Sequence, residues 1–300
     1  GEEFSSDWEY SFQDNMMLRD GRVFYIFPNS KPLTKWITLK TPYSEEWKKP
    51  IILPTSPVGL VKYEIKLEVE EKKTLDFIMP YRPLSLSEEI LAAVKQANFD
   101  DYFQKTVNFW ENILAKGMKI YLPEPKVTNT FKANLIYDLI ARDKIDQDYV
   151  QKVNEFQYDA FWLRDSAYIV RAYDVTGYHK IAEQCLNFFL KWQREDGLFL
   201  SQQGQYDGWG QALWAIGQHF VITHDLEFAR RFFPAVKKAM SWLREARNKD
   251  PLHLMPVTTP GDNEDITGHV TGHNFWALAG IKKTIFMAEG LGQDELAQKY

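Results

Sequence analysis

Thr176-Gly177-Tyr178-His179-Lys180-Ile181-Ala182 reads like two later stretches, Thr223-His224-Asp225-Leu226-Glu227-Phe228-Ala229 and Leu291-Gly292-Gln293-Asp294-Glu295-Leu296-Ala297. In each, a short turn is followed by apolar residues at helical spacing, so each marks the bend between two helices. Units that recur in this way are stacked helical hairpins. The interval from Ala229 to Ala297 is about 21 positions longer than that from Ala182 to Ala229, and most of the excess falls in the loop 248–271. Long loops in compact domains are commonly functional.

Working outward from these bends gives six helices, at about 128–142, 166–176, 178–193, 209–222, 226–247 and 272–290. Stacked hairpins curl into a toroid whose alternate helices form an inner ring. The expected fold is therefore mainly α, a toroid of hairpins, and the resemblance given below implies the first half of an (α/α)6 ring. Each even-numbered helix follows an acidic loop: Arg164-Asp165, Tyr206-Asp207-Gly208, and Asp262-Asn263-Glu264-Asp265. If the even helices line the ring, all three loops open at one mouth.

An Asp ahead of a helix is also an ordinary N-cap, and Asp165 and Asp207 both fit that description. Their loops hold more than a cap needs. Phe161-Trp162-Leu163-Arg164-Asp165 joins an indole, a guanidinium and a carboxylate, and Gln205-Tyr206-Asp207-Gly208-Trp209-Gly210-Gln211 mixes amides, aromatics and two glycines. A sugar asks for that mixture, with polar groups for its hydroxyls and flat rings for its C–H faces. Trp162, Arg164, Asp165, Gln205, Asp207, Trp209 and His273 form the expected substrate-binding set. In the third loop three carboxylates fall within four positions, and their repulsion favours a raised pKa in at least one. A carboxyl that keeps its proton near neutrality suits a general acid. Asp262, Glu264 and Asp265 are thus the catalytic candidates. A solvated acidic loop or a Ca²⁺ site is the competing reading. Asp-x-Glu with His269 and His273 is a weak metal pattern, and no metal or cofactor is expected.

At these loops the chain resembles glycoside hydrolase family 15, the glucoamylases and their bacterial relatives, and more broadly the six-hairpin toroid glycosidases. Trp162-Leu163-Arg164-Asp165-Ser166-Ala167 is similar to the family's Trp-x-Arg-Asp-x-Ala, whose Arg and Asp hold the non-reducing-end sugar. Gln205-Tyr206-Asp207-Gly208-Trp209-Gly210 is similar to the bacterial Gln-x-Asp-x-x-Gly block. Asp262-Asn263-Glu264-Asp265, with Gly268 and Phe275 beyond, is similar to Asp-x-Trp-Glu-Glu followed by Gly and Phe. The likeness covers about 160–290, with the blocks in the family's order. It implies Glu264 as general acid and Asp265 as its neighbour. The acid motif lacks the family's Trp, is one residue shorter and has Asp for the second Glu, so Asp262 and Asp265 stay open as the acid. Rhamnosidase-like, α-glucosidase-like and trehalase-like toroids stay open too.

The resemblance implies an inverting glycosidase acting at the non-reducing end of an oligosaccharide. Inversion needs a base ~6.5–9.5 Å from the acid. The family's base lies in the second half of the ring, beyond residue 300. The expected partners are a carbohydrate and the missing C-terminal half of the toroid. A glycoside phosphorylase and a non-catalytic carbohydrate-binding scaffold are the alternatives. An isoprenoid-binding toroid is disfavoured, because its zinc ligands have no counterpart.

Upstream, residues 1–83 read as strands of a β-sandwich. Val61 to Val69 alternates apolar and charged residues, and Arg22–Phe27 and Thr74–Met79 are further strand candidates. Residues 84–127 read as a helical connector, with helices from about Glu88 to Gln96 and from Asp100 to Lys116, and 128–300 as the half-toroid. A formal charge of −5 argues against nucleic acid. No stretch is long and apolar enough to span a membrane, and no signal peptide is visible, so the cytoplasm is favoured over secretion. Cys185, the one cysteine, sits in an apolar run and reads as a buried, inert thiol.

Overall fold

The computed structural model describes residues 8–28, 33–38, 58–154, 157–200, 202–260 and 265–300. The chain divides into two compact units, Glu2–Phe109 and Trp110–Tyr300. The division falls later than the expected β-domain boundary at 83.

In the first unit, β1 (Tyr10–Gln13), β2 (Met16–Arg19) and β3 (Arg22–Ile26) form an antiparallel meander, and β4 (Leu33–Thr38) pairs with β5 (Val58–Tyr63). Met16, Leu18, Val23 and Ile26 are buried with Leu84 and with Leu91 of the short helix α1 (Ile90–Lys95). Two strand expectations are corrected. Thr74–Met79 contributes only a bridge from Ile78 to Ile26, and the alternation after Tyr63 belongs to exposed irregular chain. Alternation in Glu64–Val69 gives a strand one wet face, but no neighbouring strand pairs with it among the described residues.

The division between the units falls within α2 (Phe99–Leu114). The second unit continues with α3 (Pro125–Ile140), the hairpin β6 (Arg142–Ile145) and β7 (Asp148–Gln151), and then α4 (Leu163–Val175), α5 (His179–Trp192), α6 (Asp207–Thr223), α7 (Leu226–Lys249), α8 (Thr271–Gly290) and α9 (Asp294–Lys299). The chain is mainly helical, and the bends between α4 and α5, α6 and α7, and α8 and α9 are the three repeated stretches. α7 begins where Asp225 accepts from the backbone N–H groups of Glu227 and Phe228, an Asp N-cap. The β6–β7 hairpin was not foreseen. It turns at Asp146, which takes a positive φ of 53°.

α6 is apolar on most of its circumference and is buried on most of it, as a central helix must be. Its main neighbours are α8 and α4. The three run parallel. Arg164 meets Asp207 and, lower down, Asp174 meets His219, so α4 and α6 advance together. Gly210 abuts Trp276 and Gly217 abuts Lys283, so α6 and α8 do the same. Leu163, Val170, Leu186, Trp209, Ile216 and Phe232 belong to the shared core, each worth ~1.5–3 kcal/mol of burial.

Candidate active site

Parallel α4, α6 and α8 bring their preceding loops to one end, as expected from the sequence. The helices begin in an unusual way. The N-cap positions of α4 and α6 are Trp162 and Tyr206, and neither side chain makes a capping bond. Asp165 and Asp207 fall inside the first turns instead, so the N-cap reading of both is corrected.

Asp207 is the centre of the arrangement. It is buried, and its Oδ2 accepts from Arg164 Nε at 3.0 Å and Gln211 Nε2 at 2.9 Å and pairs with Arg164 Nη2 at 2.8 Å. Arg164 Nη2 also donates to Gln205 Oε1 at 3.3 Å. Asp207 Oδ1, Gln205 Nε2, Gln211 Oε1, Gln202 Nε2 and Trp162 Nε1 are buried with no hydrogen-bond partner among the described residues. One such orphan costs ~1–3 kcal/mol, so three on residues bonded together at one ion pair, Asp207 Oδ1, Gln205 Nε2 and Gln211 Oε1, form an expensive arrangement for a merely structural cluster. Both donors and acceptors are among them, a mixture that a polyhydroxylated ligand satisfies.

The scaffold beneath is firm. Gln151, at the end of β7, accepts from Ser166 Oγ through its carbonyl and from Tyr173 Oη through its side chain, which fixes α4 to the hairpin. Lys152 is buried between Asp143 and Asp159, with a 2.6 Å contact to Asp143. Burial opposes its charge, but the two carboxylates win and raise its pKa. A Lys152–Phe161 bridge closes the stem of the loop that carries Trp162.

The third loop is also pinned at its stem. Thr258 and Gly268 form a bridge, and the Thr258 hydroxyl donates to the carbonyl of Gly204, immediately before Gln205. Asp262 and Glu264 lie outside the described residues. Asp265 is exposed. His273 is buried, with its ring 6.4 Å from that of Tyr206. His269 bonds to the Met255 carbonyl at 2.8 Å and contacts Asp250 at 3.2 Å, which makes it a brace of the loop. No group of three His, Cys, Asp or Glu suited to a metal occurs among the described residues.

Trp209 is placed elsewhere than expected. It is fully buried, its indole N–H donates to Ala239 O of α7 at 3.0 Å, and it contacts Trp242. It packs α6 against α7. Gln211 is the residue the candidate set omitted. Its signal was the four-residue spacing from Asp207, which places both on one helix face.

No family model matches the chain. It is 27% identical, over 198 residues, to an uncharacterized glycosyl hydrolase of Methanocaldococcus jannaschii, a match covering 59% of this chain and 32% of the relative. It superposes with a TM-score of 0.50 and 19% identity on a GH78 family rhamnosidase of Bacillus sp. GL1, covering 61% of this chain and 20% of that one. The second likeness is one of fold. The chain thus spans about a third of the length of the curated relative and a fifth of the solved enzyme. Both similar proteins are glycosidases by name; neither is named a glucoamylase. No described helix is long and apolar enough to cross a membrane.

Proposed function

We propose that the chain is the sugar-holding half of a glycoside hydrolase that acts on the non-reducing end of an oligosaccharide with inversion. The observation that carries this reading is the set of buried, unsatisfied polar atoms around the Arg164–Asp207 pair. Arg164, Asp207, Gln205 and Gln211 bind the hydroxyls of the terminal sugar, with Asp165 beside them in the first turn of α4. Glu264 donates the proton to the leaving oxygen, from a loop whose stem is tied to Gly204. Glycosidic oxygen is a poor leaving group unless protonated, so this step supplies much of the rate.

An (α/α)6 ring is completed in this proposal by a second set of hairpins, which bring the base that activates water. Two facts support that completion. The chain spans only a third of its curated relative. α8, moreover, leaves Phe275, Leu278 and Phe286 exposed, as a helix with room for a further neighbour does.

The test is hydrolysis of maltose and of methyl α-rhamnoside, whose leaving oxygens need protonation, by the longest expressible form of the polypeptide, with and without Glu264→Gln. Loss of turnover with retained sugar binding is expected. Full turnover in Glu264→Gln removes it as the acid, and phosphate-dependent turnover replaces the hydrolase with a phosphorylase.

A further inference from the structure

One turn inward from the polar cluster, each of the three parallel helices contributes a ring to an aromatic cluster. Tyr168 of α4, Trp214 of α6 and Trp276 of α8 meet edge to face. Their centroids lie 5.9 Å apart for Tyr168–Trp214, 5.7 Å for Tyr168–Trp276 and 5.5 Å for Trp214–Trp276, at interplanar angles of 60°, 78° and 74°.

Helical register sets these rings below the polar groups. Tyr168 follows Arg164 by four positions, Trp214 follows Gln211 by three and Asp207 by seven, and Trp276 follows His273 by three. Residues at those spacings share a helix face. Trp214 packs against the hydrophobic core, but the rings are not enclosed by it. Tyr168 is 53% exposed and Trp214 and Trp276 are partly exposed, whereas Val170, Leu213 and Ala277 beside them are buried. Each ring is braced by the other two, so little rotamer freedom remains to be lost when something lies on them.

We infer that Tyr168, Trp214 and Trp276 form the floor of the sugar site and select a closed pyranose ring. The inference rests on the sugar-site reading above. A pyranose carries hydroxyls around its edge and a patch of C–H bonds on its face. The buried polar atoms near Asp207 satisfy the edge, and the aromatic floor takes the face. An open-chain polyol has the same hydroxyls but no flat C–H face, so this floor discriminates against it.

The experiment is a titration of the chain's tryptophan fluorescence with maltose, rhamnose, trehalose and, as the acyclic comparison, sorbitol. At least one of the three cyclic sugars is expected to bind and change the emission, with sorbitol at least about tenfold weaker. Trp276→Leu should weaken that sugar by about three- to tenfold, and Trp276→Phe should restore most of the affinity. Far-UV circular dichroism checks folding, and if Trp276→Leu is unfolded the exposed Tyr168→Ala reports in its place. Two results overturn the proposal separately. A cyclic sugar that is lost in Asp207→Asn yet binds equally well to wild type, Trp276→Leu and Tyr168→Ala removes the floor and leaves the sugar site. Failure of all three cyclic sugars to bind removes the sugar site itself, and the floor with it.

Discussion

Arg164 Nε donates to Oδ2 of Asp207 at 3.0 Å and its Nη2 lies 2.8 Å from the same oxygen, and the other carboxylate oxygen stays buried without a partner among the described residues. A guanidinium usually grips a carboxylate with one bond to each oxygen. Here both nitrogens face one oxygen, Nη2 donating to Gln205 as well, and the second oxygen has no partner among the described residues.

Asp207→Asn tests that division. The amide keeps the shape but removes the charge that the Arg164 bonds depend on, and hydrogen bonds to charged groups are worth ~1.5–3 kcal/mol. Sugar affinity measured by calorimetry is expected to fall by about ten- to a hundredfold, while the helical circular dichroism is kept. Arg164→Lys should be nearly as damaging, because a lysine cannot reproduce the two-donor geometry.

Close approach of α6 and α8 depends on a pair of glycines. A Cβ on Gly280 would lie 2.9 Å from the Gly210 carbonyl oxygen, a backbone atom that cannot swing aside. Gly280→Ala therefore sets a gain in helix propensity of ~1 kcal/mol against overpacking of ~1–3 kcal/mol. A lower melting temperature is expected, with Gly210→Ala lower still, since its Cβ would meet the backbone of Trp276. A raised melting temperature in either variant would show that the helices can separate at little cost.

Glu88 gives the first unit an acid-sensitive contact. Its side-chain bonds from Arg82, joined by the Ser85 backbone N–H, hold its carboxyl down at about 2 from an ordinary 4.5. A depressed folded-state pKa means stability that is present above pH 4.5 and lost as pH falls from there towards 2. Glu88→Gln should flatten the acid limb of the stability profile of this unit between those values. An unchanged limb would show that the exposed pair is screened out by solvent.

Cys185 should be silent. Burial pushes its thiol up to about 12, against a weaker opposing pull from Arg142, and the sulfur is enclosed in the core. Ellman's reagent is expected to leave the native chain unlabelled and to titrate one thiol per chain after unfolding. Rapid native labelling would mean that α5 opens locally.

Much of the second unit was legible in the sequence because hairpin repeats carry local signals. The bends at Gly177, Asp225 and Gly292, and the helices between them, follow from turn chemistry and a 3.6-residue period. The first unit was less legible. Val61–Val69 alternates throughout, but alternation records one exposed face and says nothing of whether a neighbouring strand is there to pair. The β6–β7 hairpin escaped for a related reason, since Arg142–Gln151 is polar and its pairing is held partly by tertiary bonds from Gln151 and Lys152.

By itself, then, the sequence determined which segments of the second unit are helices and where they bend. Those properties depend on neighbours in the chain. Only the tertiary structure decided that α4, α6 and α8 run parallel, that Arg164 turns two nitrogens towards one oxygen of Asp207, and that Trp209 turns into the core while Gln211 joins the polar cluster. Trp209 and Gln211 lie two residues apart on the same helix, so they face different sides of it. Which side meets the core depends on helices distant in sequence, and no local pattern records that.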